Sequence, residues 1–173
     1  MFKVNMKSIL ISVGIVCAFG VTSAQSAELK VGYVDIKTAL ESTAEYKQGM
    51  KRLKALSDKK LKSLKALKGK IDQGEKDLMG QSLAMSQENL SQRQQKLKEM
   101  GKTFQRMQQD AQEELSAEKN RLDLASMSKF QKVITAYGKS HHFDLIIPRP
   151  VFIYADPKHD ITGDIIKLLD AQK

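Results

Sequence analysis

The chain has 173 residues, a formal net charge of +9, one cysteine and no tryptophan, and aromatic residues make up 6% of it. So few large aromatic side chains do not suit a compact globular domain of this length, and we expect an elongated protein. The basic excess predicts attraction to anionic partners, and a single cysteine excludes a framework of internal disulfides.

Residues 1–27 have the pattern of an export signal. Lys3 and Lys7 form a basic start, residues 9–19 form a short apolar run, and residues 22–27 form a cleavage zone of small residues. The apolar run is shorter than the roughly 20 residues that a membrane-spanning helix needs. Cleavage removes two lysines and lowers the net charge to +7.

Cys17, the only cysteine, lies inside this segment. A lipoprotein signal needs a small residue before its cysteine, and Val16 is not small, so we predict no lipid anchor. The mature chain then holds no cysteine, which excludes a thiol enzyme and suits an oxidising compartment. We therefore predict a periplasmic protein that is soluble after removal of the signal peptide.

The first structured part of the mature chain is predicted to be a strand and a short helical turn. Period-two alternation over residues 29–35 indicates the strand, and Asp35 can cap the turn. The sequence Ser42-Thr43-Ala44-Glu45 then matches a capping box with Ser42 as its N-cap, which predicts the start of a new helix.

Two long helices are predicted to fold back as an antiparallel hairpin arm over residues 43–139. Leucines in the first helix recur eleven residues apart, which keeps them on one face of a nearly straight helix. This pattern is lost near residues 80–86, the predicted tip, where Ser86 can cap a second helix with a heptad stripe. Residues 43–79 number 37, so the arm should project roughly 55 Å.

The basic excess lies mainly on the first helix of this arm. Residues 47–76 carry eleven Lys or Arg against three acids, whereas residues 86–139 carry ten against seven. Such a helix attracts acidic chains over roughly a Debye length, ~8 Å at physiological salt, and methionines add adaptable apolar contact. The candidate residues for attracting a client or another anion are Lys47, Lys51, Arg52, Lys54, Lys59, Lys60, Lys62, Lys65, Lys68 and Lys70.

Five glycines in the arm predict flexibility, because each costs on the order of 1 kcal/mol relative to alanine within a helix. They are Gly49, Gly69, Gly74, Gly80 and Gly101. The leucine and methionine stripes are expected to pack one arm helix on the other.

The C-terminal part is predicted to hold a β-hairpin and a final helix. Residues 143–147 and 151–154 are apolar, β-branched runs separated by Pro148-Arg149-Pro150. A hydrophobic staple around an N-cap at Thr162 would start the helix, with its apolar side formed by Ile165, Ile166, Leu168 and Leu169.

The terminal pieces, residues 28–42 and 140–173, total 49 residues, and a core of that size is marginal alone. We therefore predict that they form an oligomeric body. The residues assigned to it are Val31, Tyr33, Val34, Ile147, Val151, Ile153, Tyr154, Ile161, Ile166 and Leu169.

An acidic cluster near the C-terminus, formed by Asp156, His159, Asp160 and Asp164, has the composition of a metal site or an acid/base pair. The surrounding pattern instead predicts a turn at Asp156, the start of the last helix at Asp160, and a helix-dipole contact at Asp164.

No metal site, cofactor or enzyme is predicted from the rest of the sequence. His141 and His142 are adjacent and point to opposite sides of an extended segment, so they cannot easily share one ion. The sequence contains no phosphate-binding loop, no Ser/His/Asp arrangement and no zinc-protease motif.

The order of these parts resembles the Skp (OmpH-like) family of periplasmic chaperones. The residues that carry the resemblance are Lys30-Val31-Gly32-Tyr33-Val34-Asp35, Tyr154-Ala155-Asp156-Pro157 and Asp160-Ile161-Thr162. The similarity of architecture spans the mature chain, whereas these motifs are confined to its ends. The two prolines of Pro148-Arg149-Pro150 depart from the family pattern.

This resemblance implies an α+β fold, in which the terminal strands of a homotrimer form a small β-body. A long helical hairpin projects from each subunit as a tentacle around a cavity. It also implies an ATP-independent holdase that keeps unfolded outer-membrane proteins from aggregating on their way to the outer membrane.

The basic arm has other interpretations. The lysines can form an ordinary solvated helix face, and a basic envelope protein can bind anionic lipid or lipopolysaccharide. Nucleic-acid binding is not predicted, because export removes the chain from DNA and no aromatic platform accompanies the lysines. A second class of function is an envelope coiled-coil adaptor or spacer that docks on one folded partner.

Overall fold

A computed structural model describes residues 29–172. The predicted export signal and its cysteine lie outside the described residues. Within residues 29–172, no helix combines the length and the apolar character that crossing a membrane requires.

Strand β1 (Val31–Val34) and helix α1 (Ile36–Glu41) begin the described chain. Asp35 lies between them, and its carboxylate accepts a hydrogen bond from the backbone N–H of Thr38 at 2.9 Å. This confirms the predicted helix cap. The same hydrogen bond is the main reason why the pKa of Asp35 lies below its usual range.

Helix α2 (Ala44–Gln81) begins one residue later than predicted. Ser42 is still helical and donates its N–H back into α1, so it ends that helix and cannot cap the next one. Thr43 is extended, and its hydroxyl accepts a hydrogen bond from the first turn of α2. Glu45, which a capping box would turn back to Ser42, instead pairs with Lys129 at 2.7 Å.

The predicted hairpin is confirmed. A 3₁₀ turn (Ser82–Ala84) joins α2 to helix α3 (Gln87–Ser140), and Ser86 caps α3 as predicted. The helices are antiparallel, since Gly74 faces Leu97 near the tip whereas Gly49 faces Leu122 near the base. Helix α2 has 38 residues, which corresponds to about 57 Å.

Helix α3 ends in a Schellman motif, which gives both histidines a structural role. The N–H of Phe143 donates to the carbonyl of Gly138 at 2.9 Å, and His142 takes the left-handed conformation that this motif needs, with φ of 56°. The ring of His141 stacks on Tyr137, with 4.0 Å between ring centroids.

The predicted C-terminal β-hairpin is wrong. Strand β2 (Leu145–Pro148) pairs in parallel with β1, with Val31 opposite Leu145 and Val34 opposite Pro148. A 3₁₀ turn (Arg149–Val151) follows, and residues 152–156 form no strand. Pro148 and Pro150 have no backbone N–H for a ladder and have a fixed φ, so the chain leaves the sheet at this point.

The last helix, α4 (Thr162–Ala171), does not use Thr162 as its N-cap. Thr162 is already helical, and its hydroxyl accepts the N–H of Asp35 at 2.9 Å, which ties the two ends of the chain together. Asp160 accepts the N–H of Thr162 at 2.9 Å and so starts the helix, as predicted. Leu168, predicted on the apolar side, is 40% exposed.

One hydrophobic core fills the body between α1, the end of α3 and α4. Ala39 and Ile165 are fully buried, and Phe130 and Val133 from α3 are 4% and 2% exposed. The whole cluster consists of Val34, Ala39, Phe130, Val133, Tyr137, Ile161, Ile165 and Leu169. The core therefore uses the end of a helix that the sequence pattern assigned to the arm.

The arm glycines have two different roles, which the sequence could not separate. A Cβ added at Gly49 would lie 2.5 Å from Leu122 Cδ1 and 3.2 Å from its Cγ, so this glycine lets α2 and α3 approach closely. A Cβ at Gly69 or Gly101 would meet nothing within 4 Å. These two glycines weaken the helices without helping them to pack.

Alanine at Gly49 and alanine at Gly69 should therefore shift stability in opposite directions. We expect Gly49→Ala to lower the free energy of unfolding by about 1–3 kcal/mol through overpacking, and Gly69→Ala to raise it by up to about 1 kcal/mol. Urea denaturation followed by circular dichroism measures both. Equal shifts in the same direction would show that Gly49 has no packing role.

Candidate functional site

The candidate functional surface is the outer face of α2, the helix that holds all ten predicted basic residues. Five of them recur at spacings close to whole helical turns and form one row, here called the lysine stripe: Lys47, Lys51, Lys54, Lys62 and Lys65. The buried α2 residues Gly49 and Ile71 face the opposite side, toward α3. Packing of the hairpin therefore turns the lysine stripe to solvent.

Most of these ten charges are not neutralised within the described chain. Lys54 pairs with Asp58 at 3.6 Å, Lys68 pairs with Asp72 at 2.6 Å, and Lys60 pairs with Glu114. The others form no ion pair with another residue in 29–172: Lys47, Lys51, Arg52, Lys59, Lys62, Lys65 and Lys70.

The structure does not gather these basic side chains into one pocket. They are spread over 24 positions of one helix, which is about 35 Å. Nine are exposed, and Lys60 is half-buried between the helices. Such a row can attract an extended anionic chain but cannot enclose a small ligand.

A polar contact that the sequence pattern did not predict fixes the base of the arm. Lys119 donates to Asp123 at 2.6 Å and to the hydroxyl of Tyr46 at 3.2 Å, and Tyr46 donates to Asp123 at 3.1 Å. The hydrogen bond from Lys119 is the main cause that lowers the pKa of Asp123, and it raises the pKa of Lys119. The only signal in the sequence is the four-residue spacing of a lysine and an aspartate on α3.

Apolar side chains are exposed at the tip and along the arm. Met79 is 84% exposed and Leu83 is fully exposed, and Leu61 and Leu124 are 49% and 72% exposed. Leu83 was missed because the sequence between the helices lost its periodic pattern and was interpreted as a turn only. The arm therefore combines open cations with scattered apolar contacts.

The ten residues predicted for the oligomeric body separate into an inner and an outer group. Tyr33, Val34, Ile161 and Leu169 are buried in the chain's own core, and Val31, Ile147 and Ile166 are half-buried. The outer group is fully open within the single chain: Val151 is 71%, Ile153 107% and Tyr154 83% exposed. Leu145 adds to this apolar surface with 48% exposure.

The acidic cluster near the C-terminus does not form a site. Asp156 accepts the N–H of Lys158 at 3.0 Å, and this bond holds its pKa below the usual range. Asp164 accepts a hydrogen bond from the hydroxyl of Tyr137 at 3.2 Å, and His159 is exposed. Asp156 therefore holds a turn and Asp160 the start of the last helix, as predicted for these two residues.

Comparison with known proteins shows which proteins have a similar sequence and architecture. The sequence model of the family described as outer membrane protein (OmpH-like) matches residues 30–169. A crystal structure of a protein from Caulobacter crescentus, described as an outer membrane chaperone (OmpH-like), superposes with a TM-score of 0.78 at 22% identity, covering 85% of this chain and 87% of that one. A search of curated proteins finds no significant match.

Proposed function

The chain belongs to the OmpH-like family, and from this membership we propose that it is an ATP-independent periplasmic holdase. Family membership supports a chaperone role in general terms. Our proposal is the more specific one: the protein binds unfolded outer-membrane proteins between its arms and prevents their aggregation during transit to the outer membrane.

The observation that carries this proposal is the exposed lysine stripe on the outer face of α2, in which only Lys54 has an ion-pair partner within residues 29–172. A holdase without a fuel cycle must attract many clients and also release them. Solvent-exposed charges act over about a Debye length and give weak, reversible attraction. Exposed apolar residues such as Met79 and Leu83 provide contacts that do not depend on a particular client sequence.

We further propose that the protein works as a homotrimer. In this proposal residues 28–42 and 140–173 form the shared body together with the end of α3, and the rest of residues 43–139 forms one arm per subunit. The exposed apolar side chains of Val151, Ile153 and Tyr154 favour an interface, because a solvated monomer gains nothing from such a surface. Phe152 has extended backbone angles and no ladder partner within residues 29–172, which suits pairing with a neighbouring subunit.

Location in the periplasm is part of the same proposal and depends on the export signal predicted for residues 1–27. Anionic lipid and lipopolysaccharide are further candidates for the lysine stripe, since basic surfaces attract anionic head groups. They would compete with clients for the same charges.

The direct test is the refolding of an outer-membrane β-barrel protein diluted from urea. We expect the chaperone at stoichiometric trimer to suppress light scattering by the client, and the suppression to weaken as salt screens the arms. Absence of any suppression at low salt would exclude the holdase. A pull-down that returns one folded protein, without enrichment of unfolded barrels, would favour the adaptor or spacer instead.

A further inference from the structure

A groove between α2 and α3 lies nearer the tip than the base of the arm. Its volume is about 640 Å³, and its apolar floor is formed by Leu67 and Gly74 of α2 with Leu97 and Met100 of α3. Gly74 lets Leu97 pack closely on α2 at the groove floor, because a Cβ at position 74 would lie 2.7 Å from Leu97 Cδ2. We call this groove the tip-side groove.

The rim of the tip-side groove carries more positive than negative charge. Lys70, Arg93 and Lys96 line it together with a single acid, Asp77. Asp77 already accepts a hydrogen bond from Gln73 at 2.8 Å. Within residues 29–172, neither Lys70 nor Lys96 forms an ion pair.

A second groove, at the base of the arm, provides a comparison within the same hairpin. Glu45, Arg52, Glu118 and Arg121 line it, so its charges balance. Arg121 also pairs with Glu118 at 2.5 Å. The tip-side groove is larger and its lysines are unneutralised, which makes it the better site for an anionic ligand with apolar parts.

We propose that the tip-side groove binds an extended polypeptide segment in which apolar side chains alternate with carboxylates. In an extended chain, successive side chains point to opposite sides, so the apolar ones can face the floor while the acidic ones reach the rim. The inference rests on the proposed function and adds to it the sequence pattern that a client presents to the arm.

The length of the groove sets the size of the bound segment. Its α2 side runs from Leu67 to Asp77, which is ten helical steps or about 15 Å. An extended chain rises about 3.3 Å per residue, so roughly four to five residues occupy the groove. Two apolar contacts with the floor and two carboxylates at the rim match that length.

The test uses the full mature protein and a fluorescent peptide in which leucine and aspartate alternate. Binding is measured by fluorescence anisotropy for the wild type and for the double variant Lys70→Glu, Lys96→Glu. We expect the double variant to bind about tenfold more weakly, because two attractive charge pairs become repulsive. A peptide of the same length with lysine in place of aspartate should not bind the wild type.

A matched control keeps the net charge of the double variant and leaves the groove intact. Lys102→Glu with Lys132→Glu changes two exposed lysines of α3 that are not among the ten candidate residues, and neither residue lines the groove. We expect at most a twofold loss for this control. Equal losses in both variants would overturn the groove assignment, as would phosphatidylglycerol vesicles that bind in place of the peptide and displace it.

The same samples separate this inference from the proposed holdase function. If the wild type suppresses aggregation but the groove variant binds the peptide as well as the wild type does, the groove inference is wrong and the holdase stands. If the wild type binds the peptide in the expected pattern but suppresses no aggregation, the groove stands and the holdase fails. Circular dichroism of each variant checks whether the arms remain folded.

Discussion

Replacing both Ile153 and Tyr154 by aspartate is expected to leave a folded monomer in place of the proposed trimer. The two side chains are 107% and 83% exposed in the single chain, so its own fold does not depend on them. In an interface the two aspartates would place two charges in an apolar contact, which costs several kcal/mol for each unpaired charge. Association should weaken by roughly a hundredfold or more.

Sedimentation velocity measures this change, and two arm substitutions serve as the control. Leu61→Asp with Leu124→Asp also replaces two exposed apolar residues by aspartate, but on the arms, where 49% and 72% of these side chains are accessible. The control should remain a trimer. A body variant with the wild-type sedimentation coefficient would contradict the proposed interface.

Ile161 and Ile166 are poor choices for the same experiment. The sequence pattern placed both in the oligomeric body, but Ile161 is 5% exposed within the core of its own chain. Aspartate at that position would unfold the subunit and so could not report on assembly. Substitutions at the exposed residues Val151, Ile153 and Tyr154 can change assembly without disturbing the core of the subunit.

Reversing the lysine stripe is expected to abolish client capture at low salt. Substituting glutamate for Lys47, Lys51, Lys54, Lys62 and Lys65 changes the charge of each subunit by ten and places the new acids where an acidic client would approach. Long-range attraction becomes repulsion, so capture of a denatured outer-membrane protein should fall by more than about tenfold. Light scattering during refolding of the client measures the loss.

A charge-matched control tests whether position matters or only net charge. The control replaces five exposed basic residues of α3 by glutamate: Lys98, Lys102, Arg106, Lys132 and Lys139. If the outer face of α2 guides the client, this control should retain most of its activity. Equal loss in the two variants would show that only the overall field of the protein attracts clients.

The sequence predicted the features that depend on one local contact. Asp35 and Ser86 cap helices because a short polar side chain precedes each helical pattern, and both caps are present in the structure. The hairpin followed from the apolar stripes and from the loss of pattern between them. Errors of one residue, as at Ser42 and Thr43, arose because neighbouring hydroxyl residues are equivalent in a sequence pattern.

The features that depend on distant parts of the chain could not be predicted. Strand β2 pairs with β1 rather than with residues 151–154, and no local signal gives the direction of that pairing. The roles of the arm glycines depend on whether a leucine of the other helix lies opposite. The tip-side groove is likewise a product of two helices, so neither helix alone reveals it.

The parallel pairing of β1 with β2 joins two distant parts of the chain. Gly74 and Leu97 are separated by 23 positions, Gly49 and Leu122 by 73, and the contact between Lys30 and Asp144 spans 114. Loop-closure entropy increases with separation, so we expect the hairpin to form from its tip toward the body and the strands to join last. The contacts of the body, where subunits would meet in the proposed trimer, are then expected to form last.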